Sequence, residues 1–412
     1  MKQIQPTKLF YTSCLSLIVT AMTFAIRARI MSLWGSDFTL TNEQVGIIAG
    51  TAFWGFTLAQ IIGGPLVDVV GMKKILYVAF FGHIAGVVLT IFSLSFWPLF
   101  LGTLLIGIAN GSIEAACNPL VATIYSGEKT KMLNRFHMWF PGGNVIGGLI
   151  AYLMIDQLQL SWQWLMGILL VPIALYGYLF SSARFPETER VSAGVSYSDM
   201  LKACIGPLFI FMVLCMFLTA ATELGTGQWI ETLLGQVGVS AILIFVFING
   251  IMAIGRLFAG PVVHKLNPAG MLLLSAIFTA IGLYWLSNAT GYVTFAAAFV
   301  FAIGTCYFWP TMLGFVSEYI PKTGAIGLNI MGGAGMLSVA VILPFMGNWF
   351  DNNKAKALQA GADAATANLQ AGRDTLTTVM IMPIILIVAF AILFFAYRNK
   401  SKVNLKAEAQ TA

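Results

Sequence analysis

Glu114 lies in the stretch IEAACNPLVA, residues 113–122, four residues before the pair Asn118-Pro119, and the sequence around it is apolar. A charge at the centre of a membrane helix costs about 2.5–3.5 kcal/mol on the insertion scale, so a carboxylate there has a partner or a task. Pro119 has no N–H to offer the carbonyl of Ala115, which neighbours Glu114. One helical turn thus presents a carboxylate, a freed carbonyl and the Asn118 amide, a set able to hold hydroxyl groups, a proton or a cation. The other reading is a structural carboxylate paired to a cation on another helix. Glu114 falls about 17 residues, or about 25 Å, into its apolar run, too deep for a short side chain to reach water.

Two more acids fall within or near apolar runs. Glu223, in ATELGTGQW, falls toward the end of its run, where access to water leaves both a solvated and a functional reading open, and Glu318, two residues before Ile320-Pro321, reads as a solvated helix-end acid. Arg27 and Arg29, in FAIRARIMSLW, are either anchors at the membrane edge or, turned inward, partners for Glu114 or a bidentate grip on an anion. His137, in LNRFHMWFPGG, can titrate in a cavity or serve as a hydrogen-bonded packing residue; His83 lies in the third run and His264 in a turn. Trp139, Phe140, Trp229, Tyr307, Phe308 and Trp309 neighbour these groups in sequence. Such rings stack on sugar faces, suit lipophilic cations, or simply pack.

Other chemistries have no residues to carry them. The sequence has no GxxxxGK[ST] loop for ATP, and Cys14, Cys117, Cys204, Cys215 and Cys306 show neither CxxC pairing nor histidine at metal spacing, so they read as small packing residues. We expect no enzyme activity, no metal and no cofactor, with a proton or sodium as the only coupling ion.

The elements that must position these groups are membrane helices. Of 412 residues 58% are hydrophobic and 9% charged, and the mean hydropathy is +0.86, far from soluble domains. Apolar runs long enough to cross about 30 Å of hydrocarbon fall at roughly 8–28, 44–66, 74–94, 97–121, 134–155, 162–181, 205–226, 239–262, 270–288, 292–316, 324–346 and 377–397. The first is flanked by Lys2 and Lys8 and has no small-x-small cleavage pattern before Asp37, so it reads as a retained helix. If the runs alternate, Lys2, Lys8, Lys73, Lys74, Lys129, Lys131, Arg135, Arg184, Arg190, Lys202, Arg256, Lys265, Lys322, Arg398, Lys400, Lys402 and Lys406 share one side. The opposite side keeps Arg27, Arg29, Lys354, Lys356 and Arg373. The positive-inside rule then places both termini and the 182–204 loop in the cytoplasm of an inner (plasma) membrane protein. The net charge of +6 is explained by that bias and implies no nucleic-acid partner.

The chain also repeats itself. GGPLVD at 63–68 is echoed by AGPVVH at 259–264, and Asn118-Pro119 by Trp309-Pro310; the offsets, roughly 196 and 191 residues, agree with a duplicated six-helix unit. The expected organisation is a bundle at 1–182, a cytoplasmic linker at 183–204, a second bundle at 205–400 and a tail at 401–412. Small-residue strings at 142–148, 250–260 and 332–335 let helices approach closely. The Ala-rich segment 351–374 reads as a partly helical outer loop, too small for a signalling domain, which argues against a transporter-shaped receptor.

GGPLVDVVGMKK, 63–74, resembles the loop signature of the major facilitator superfamily. The resemblance implies a latch that holds two bundles together and breaks when they rock. In it Gly64 and Gly71 suit a tight turn, Asp68 meets a helix N-terminus or a cation, and Lys73 meets anionic headgroups. FTLTNEQVG (38–46), EAACNPLV (114–121), LNRFHMWFPGG and ELGTGQW (223–229) are similar more narrowly to the fucose-galactose-glucose-proton symporters. By that resemblance Glu114 couples proton and sugar, and Asn118 shares its site. Two departures bear on the substrate. The family's first-helix aspartate falls on Ala28, between the arginines, and amides expected in the fifth helix are His137 and Phe140.

The expected fold is therefore an all-α membrane protein of twelve transmembrane helices in two pseudo-symmetric bundles. The candidate substrate site comprises Glu114, Asn118, His137, Phe140, Arg27, Glu223, Gln228, Trp229 and Trp309, with Glu114 as proton coupler and Gly64, Asp68, Gly71 and Lys73 as latch. We expect a monomer in the lipid bilayer that takes up a sugar or sugar-like small molecule with protons. The alternatives are an organic-anion transporter using Arg27 and Arg29, or a multidrug exporter.

Overall fold

The computed structural model describes residues 4–40, 42–234 and 241–400. Expectations that rest on Lys2, Thr41, Lys402, Lys406, the 401–412 tail, the side chain of Arg190 and the start of the eighth run at 239 lie outside the described residues. Every regular element among the described residues is helical. The first six membrane helices are α1 (Pro6–Asp37), α2 (Asn42–Val70), α3 (Met72–Ile91), α4 (Phe96–Ile124), α5 (Lys129–Gln157) and α6 (Trp162–Ser181). The second six are α7 (Pro207–Ile230), α8 (Ala241–Leu257), α9 (Ala259–Asn288), α10 (Val293–Tyr319), α11 (Pro321–Gln359) and α12 (Ala364–Tyr397). By length and apolarity eleven of these can cross a membrane unaided.

The exception is α8, and the chain explains why. After Phe258 the first turns of α9 continue it, up to Asn267, whose left-handed backbone (φ 53°) before Pro268 ends one helix and starts the next. Residues 259–266 thus lengthen α8, which gives it membrane-spanning reach and leaves Arg256 well inside rather than at its end. The Asn267 side chain accepts from the N–H of Gly270, satisfying a donor in the first turn of the new helix.

Within the first half, close approach depends on glycine. A Cβ on Gly107 of α4 would meet the Thr51 carbonyl of α2 at 2.6 Å, which only a bare backbone avoids. The two halves meet along α2 against α11 and α5 against α8. Gly64 lies in the interior of α2, where the expected tight turn does not occur; a Cβ there would meet that of Asn329 on α11 at 2.8 Å. The turn itself falls at Gly71, whose φ of 89° favours glycine. Lys73 donates to the carbonyls of Ser181 and Ala183 (2.8 and 2.9 Å) at the end of α6, a cation on helix-terminal carbonyls. Asp68 accepts from the Thr188 hydroxyl (2.5 Å), which ties α2 to the segment joining the halves.

Candidate functional site

Glu114 is 1% exposed, and its hydrogen bond comes from Asn118 Nδ2 one turn on (3.3 Å to Oε2). Asn118 Oδ1 lies 2.9 Å from His137 Nε2, so that nitrogen carries the proton and donates. A polar chain therefore runs from α5 through α4 to the carboxyl. The ring of His137 is buried, as the packing alternative has it, and the hydrogen bond to Asn118 fixes its orientation. His83 is a separate matter: it is buried between Tyr176 Oη and Asn110 Oδ1 (2.9 and 2.8 Å) inside the first half.

The second half supplies a residue that sequence reasoning placed wrongly. Arg256, counted above with the basic surface, is 2% exposed and holds three acceptors. Its Nη2 donates to Glu223 Oε1 (2.8 Å), Nη1 to the His137 carbonyl (2.9 Å) and Nε to the Cys306 carbonyl (2.6 Å). Glu223 is correspondingly buried and ion-paired, in a π-helical turn Ala221–Gly225 of α7, a local irregularity common at functional sites. The structural carboxylate is thus Glu223. Glu114 has no ion-pair partner among the described residues, although Arg256 is the cation whose field reaches it. Trp309 also lies against Glu114, yet its indole N–H meets no acceptor in hydrogen-bond geometry.

Proline explains where these contacts form. A proline leaves the carbonyl four residues earlier without its helical donor. Pro119 frees Ala115, whose oxygen accepts from Asn329 Nδ2 of α11 (3.1 Å). Pro141 and Pro310 free His137 and Cys306, both taken by Arg256. Pro321 frees Ser317, taken by Lys129 Nζ of α5 (2.9 Å). Three of the four bonds cross between the halves.

The last belongs to a closed gate at the end where the basic residues gather. Lys129 is buried and also pairs with Glu189 of the linker (2.5 Å). Glu318, expected to be solvated, is 2% exposed, and its Oε1 accepts from the Thr130 N–H (3.0 Å) in the first turn of α5. An anion there is matched to the unsatisfied N–H groups of a helix start. Deeper, Asn134 Nδ2 donates to Thr311 Oγ1 (3.2 Å) and Asn144 Nδ2 to Asn249 Oδ1 (3.1 Å). Glu128, just before α5 begins, accepts from Lys131 at both oxygens, which holds that carboxyl below the usual range, and His264 stands 3.7 Å from it.

Arg29 pairs with Asp156 near the end of α5, within the first half, and so does not enter the site. Arg27 lies over the rings of Phe24 and Phe53 (5.0 and 5.8 Å), and Phe140 stands 5.8 Å from Phe24. Gln228 is exposed, and Trp229 packs on Phe350 and Gly347 of α11, apart from Glu114. Tyr307 donates to the Gly255 carbonyl (2.9 Å), and Phe308 packs on Phe390. Sequence reasoning missed Gln60 on α2 altogether. It is 0% exposed against Gly332, and neither amide atom has a partner. The offset of about 196 residues that aligns the repeats sets Gln60 opposite Arg256, a signal that was available in the sequence.

A profile described as Major Facilitator Superfamily matches residues 13–341. The chain is 29% identical over 135 residues to "Solute carrier family 2, facilitated glucose transporter member 10" of Xenopus tropicalis, covering 32% of this chain and 24% of that protein. It thus spans about a quarter of that relative's length. The structure resembles that of an MFS transporter, FucP, in the outward conformation (TM-score 0.71, 16% identity, 92% of this chain and 98% of that one). It also resembles the proton:xylose symporter XylE bound to 6-bromo-6-deoxy-D-glucose (TM-score 0.71, 14% identity, 98% of each). At such identities these two likenesses concern the fold. The profile spans most of the sequence, from α1 into α11, over the same helices that carry the freed carbonyls, and the chain belongs to the Major Facilitator Superfamily.

Proposed function

We propose that this protein is a secondary active transporter that moves a sugar or sugar-like small solute across the cytoplasmic membrane by alternating access, with uptake coupled to protons through Glu114. One observation carries the coupling: of two buried carboxylates near one buried guanidinium, Glu223 has the cation and Glu114 does not. An ionised Glu114 would stand as an uncompensated buried charge, at a cost of about 2.5–3.5 kcal/mol on the insertion scale. A proton removes that cost, so the closed arrangement favours the neutral acid. Glu114 lies about ten residues, or about 15 Å, from the gated end of α4. When the halves rock and the Asn329 bond to Ala115 parts, water reaches the carboxyl, ionisation becomes favourable and the proton leaves. The basic bias at the gated end supports a cytoplasmic position for that end, both termini and the linker, and on that reading this arrangement is the inward-closed one. The sugar proteins named above support the solute class. So does the makeup of the site, with its amide, imidazole and carboxyl groups.

The test is uptake of labelled monosaccharides into proteoliposomes with and without an imposed proton gradient. Wild-type protein accumulates solute only with the gradient. Glu114→Gln retains gradient-free exchange and loses accumulation. Wild-type uptake indifferent to the gradient, or accumulation that persists in Glu114→Gln, disproves the coupling.

A further inference from the structure

We infer that the transported solute is an anionic monosaccharide, one that carries a carboxylate on a hydroxylated ring, and that Arg27 binds that carboxylate; this rests on the transport reading above. Arg27 has no ion pair among the described residues, and its Nε is buried without an acceptor. An arginine inside a membrane span cannot shed its proton, so an unpaired one needs an anion from elsewhere. Its neighbour Arg29 shows the contrast, being neutralised by Asp156.

The position of Arg27 identifies where that anion comes from. Phe24, one turn before it on α1, touches Phe53 of α2 and Phe140 of α5. Both of those helices pack against the other half, α2 on α11 and α5 on α8. A side chain that reaches both sits on the face of α1 turned toward the second bundle, and Arg27 lies above it on the same face. The rings of Phe24 and Phe53 lie 5.0 and 5.8 Å from the guanidinium carbon, and aromatic rings supply no acceptor for its Nε. An edge that includes Nε is the one that grips a carboxylate through two parallel hydrogen bonds.

From Arg27 the same face leads to the proton site. Phe24 adjoins Phe140, Phe140 is one turn from His137, and His137 bonds Asn118, which bonds Glu114. The first half thus offers a cation at one level, an aromatic layer next, and hydrogen-bonding groups beyond it. A hexuronate or aldonate presents the complementary series: carboxylate, apolar ring face, hydroxyls. The pairing with a proton is also consistent in charge. One monoanion plus one proton is electroneutral, so an inside-negative potential does not oppose uptake.

The experiment uses full-length protein in proteoliposomes under an inward proton gradient, with labelled D-glucuronate and D-galacturonate set against D-glucose and D-galactose. We expect uronate to be accumulated, and unlabelled uronate to compete at least tenfold better than the matching neutral sugar. Arg27→Gln should lower uronate uptake at least tenfold, and Arg27→Lys should keep part of it, with melting temperatures recorded for both. Neutral sugar accumulated in preference to uronate overturns the substrate class while the transport reading stands. Uronate uptake that is unchanged in a folded Arg27→Gln overturns the role of Arg27. If neither sugar class moves with the gradient, this inference and the transport reading fail together. The competition ratio in wild-type protein decides the substrate class even if both variants fold poorly.

Discussion

Arg256 makes three hydrogen bonds from one buried guanidinium, and each acceptor lies on a different helix: Glu223 on α7, His137 on α5 and Cys306 on α10. Removing one member of such a buried pair leaves the other charge without compensation, a cost of about 3–5 kcal/mol. Arg256→Met should lower stability in detergent by about that amount, and adding Glu223→Leu should restore more than half of it, since the orphaned charge is then gone. Denaturation of the two variants measures this; a single variant as stable as wild type means the pair is not held as described. The residue was hard to place because hydropathy alternation treats every cation near a run's end as a surface anchor. Glu114, by contrast, declared itself, since a short acid many residues from either end of an apolar run has no route to water.

At the scale of a helix, proline decides which backbone oxygens are available. Pro119, Pro141, Pro310 and Pro321 each free a carbonyl, and each freed carbonyl is occupied by a side chain from another helix. The identity of the freed oxygens follows from the sequence by counting back four residues; the donors do not, because Asn329, Arg256 and Lys129 arrive from helices up to 214 residues away in the chain. Pro141→Ala supplies the missing N–H and lets the helix compete with Arg256 for the His137 carbonyl. One net hydrogen bond is worth about 0.5–1.5 kcal/mol, so the open-inside population should rise roughly twofold to tenfold. Pro119→Ala should act similarly through Asn329. Spin labels at Ser126 and Lys265, exposed on opposite halves at the gated end, report the distance distribution. An unshifted distribution in both variants would show that these carbonyls are not docking points.

Across the whole molecule, the gated end is held by Lys129 on Ser317 and Glu189, and by Glu318 on the start of α5. Hydrogen bonds to charged groups contribute about 1.5–3 kcal/mol each, so removing one should shift the balance between states without unfolding either bundle. Glu318→Gln is expected to raise the rate at which a membrane-impermeant thiol reagent labels a cysteine placed at Thr311, by roughly tenfold, with the melting temperature little changed. Equal labelling rates would assign Glu318 to packing alone. Lys73 does not take part in this closure, since its donors go to the end of α6 in its own half. Asp68 acts through Thr188 and the linker.

The sequence by itself determined the class of fold, because hydrocarbon thickness, the need to satisfy every backbone polar group and the distribution of basic residues permit few solutions for twelve apolar runs. It also determined the weak points in the helices, since proline and glycine act through local geometry. Only the tertiary structure decided which acid is paired and which is free, that Arg29 is spent on Asp156 while Arg27 is not, and that Glu318 faces a helix start rather than water. Those outcomes depend on rotations of helices about their own axes and on contacts between halves nearly 200 residues apart, as with Thr130 and Glu318. Hydropathy is blind to both, because it measures how much a helix prefers lipid and not which of its faces meets protein.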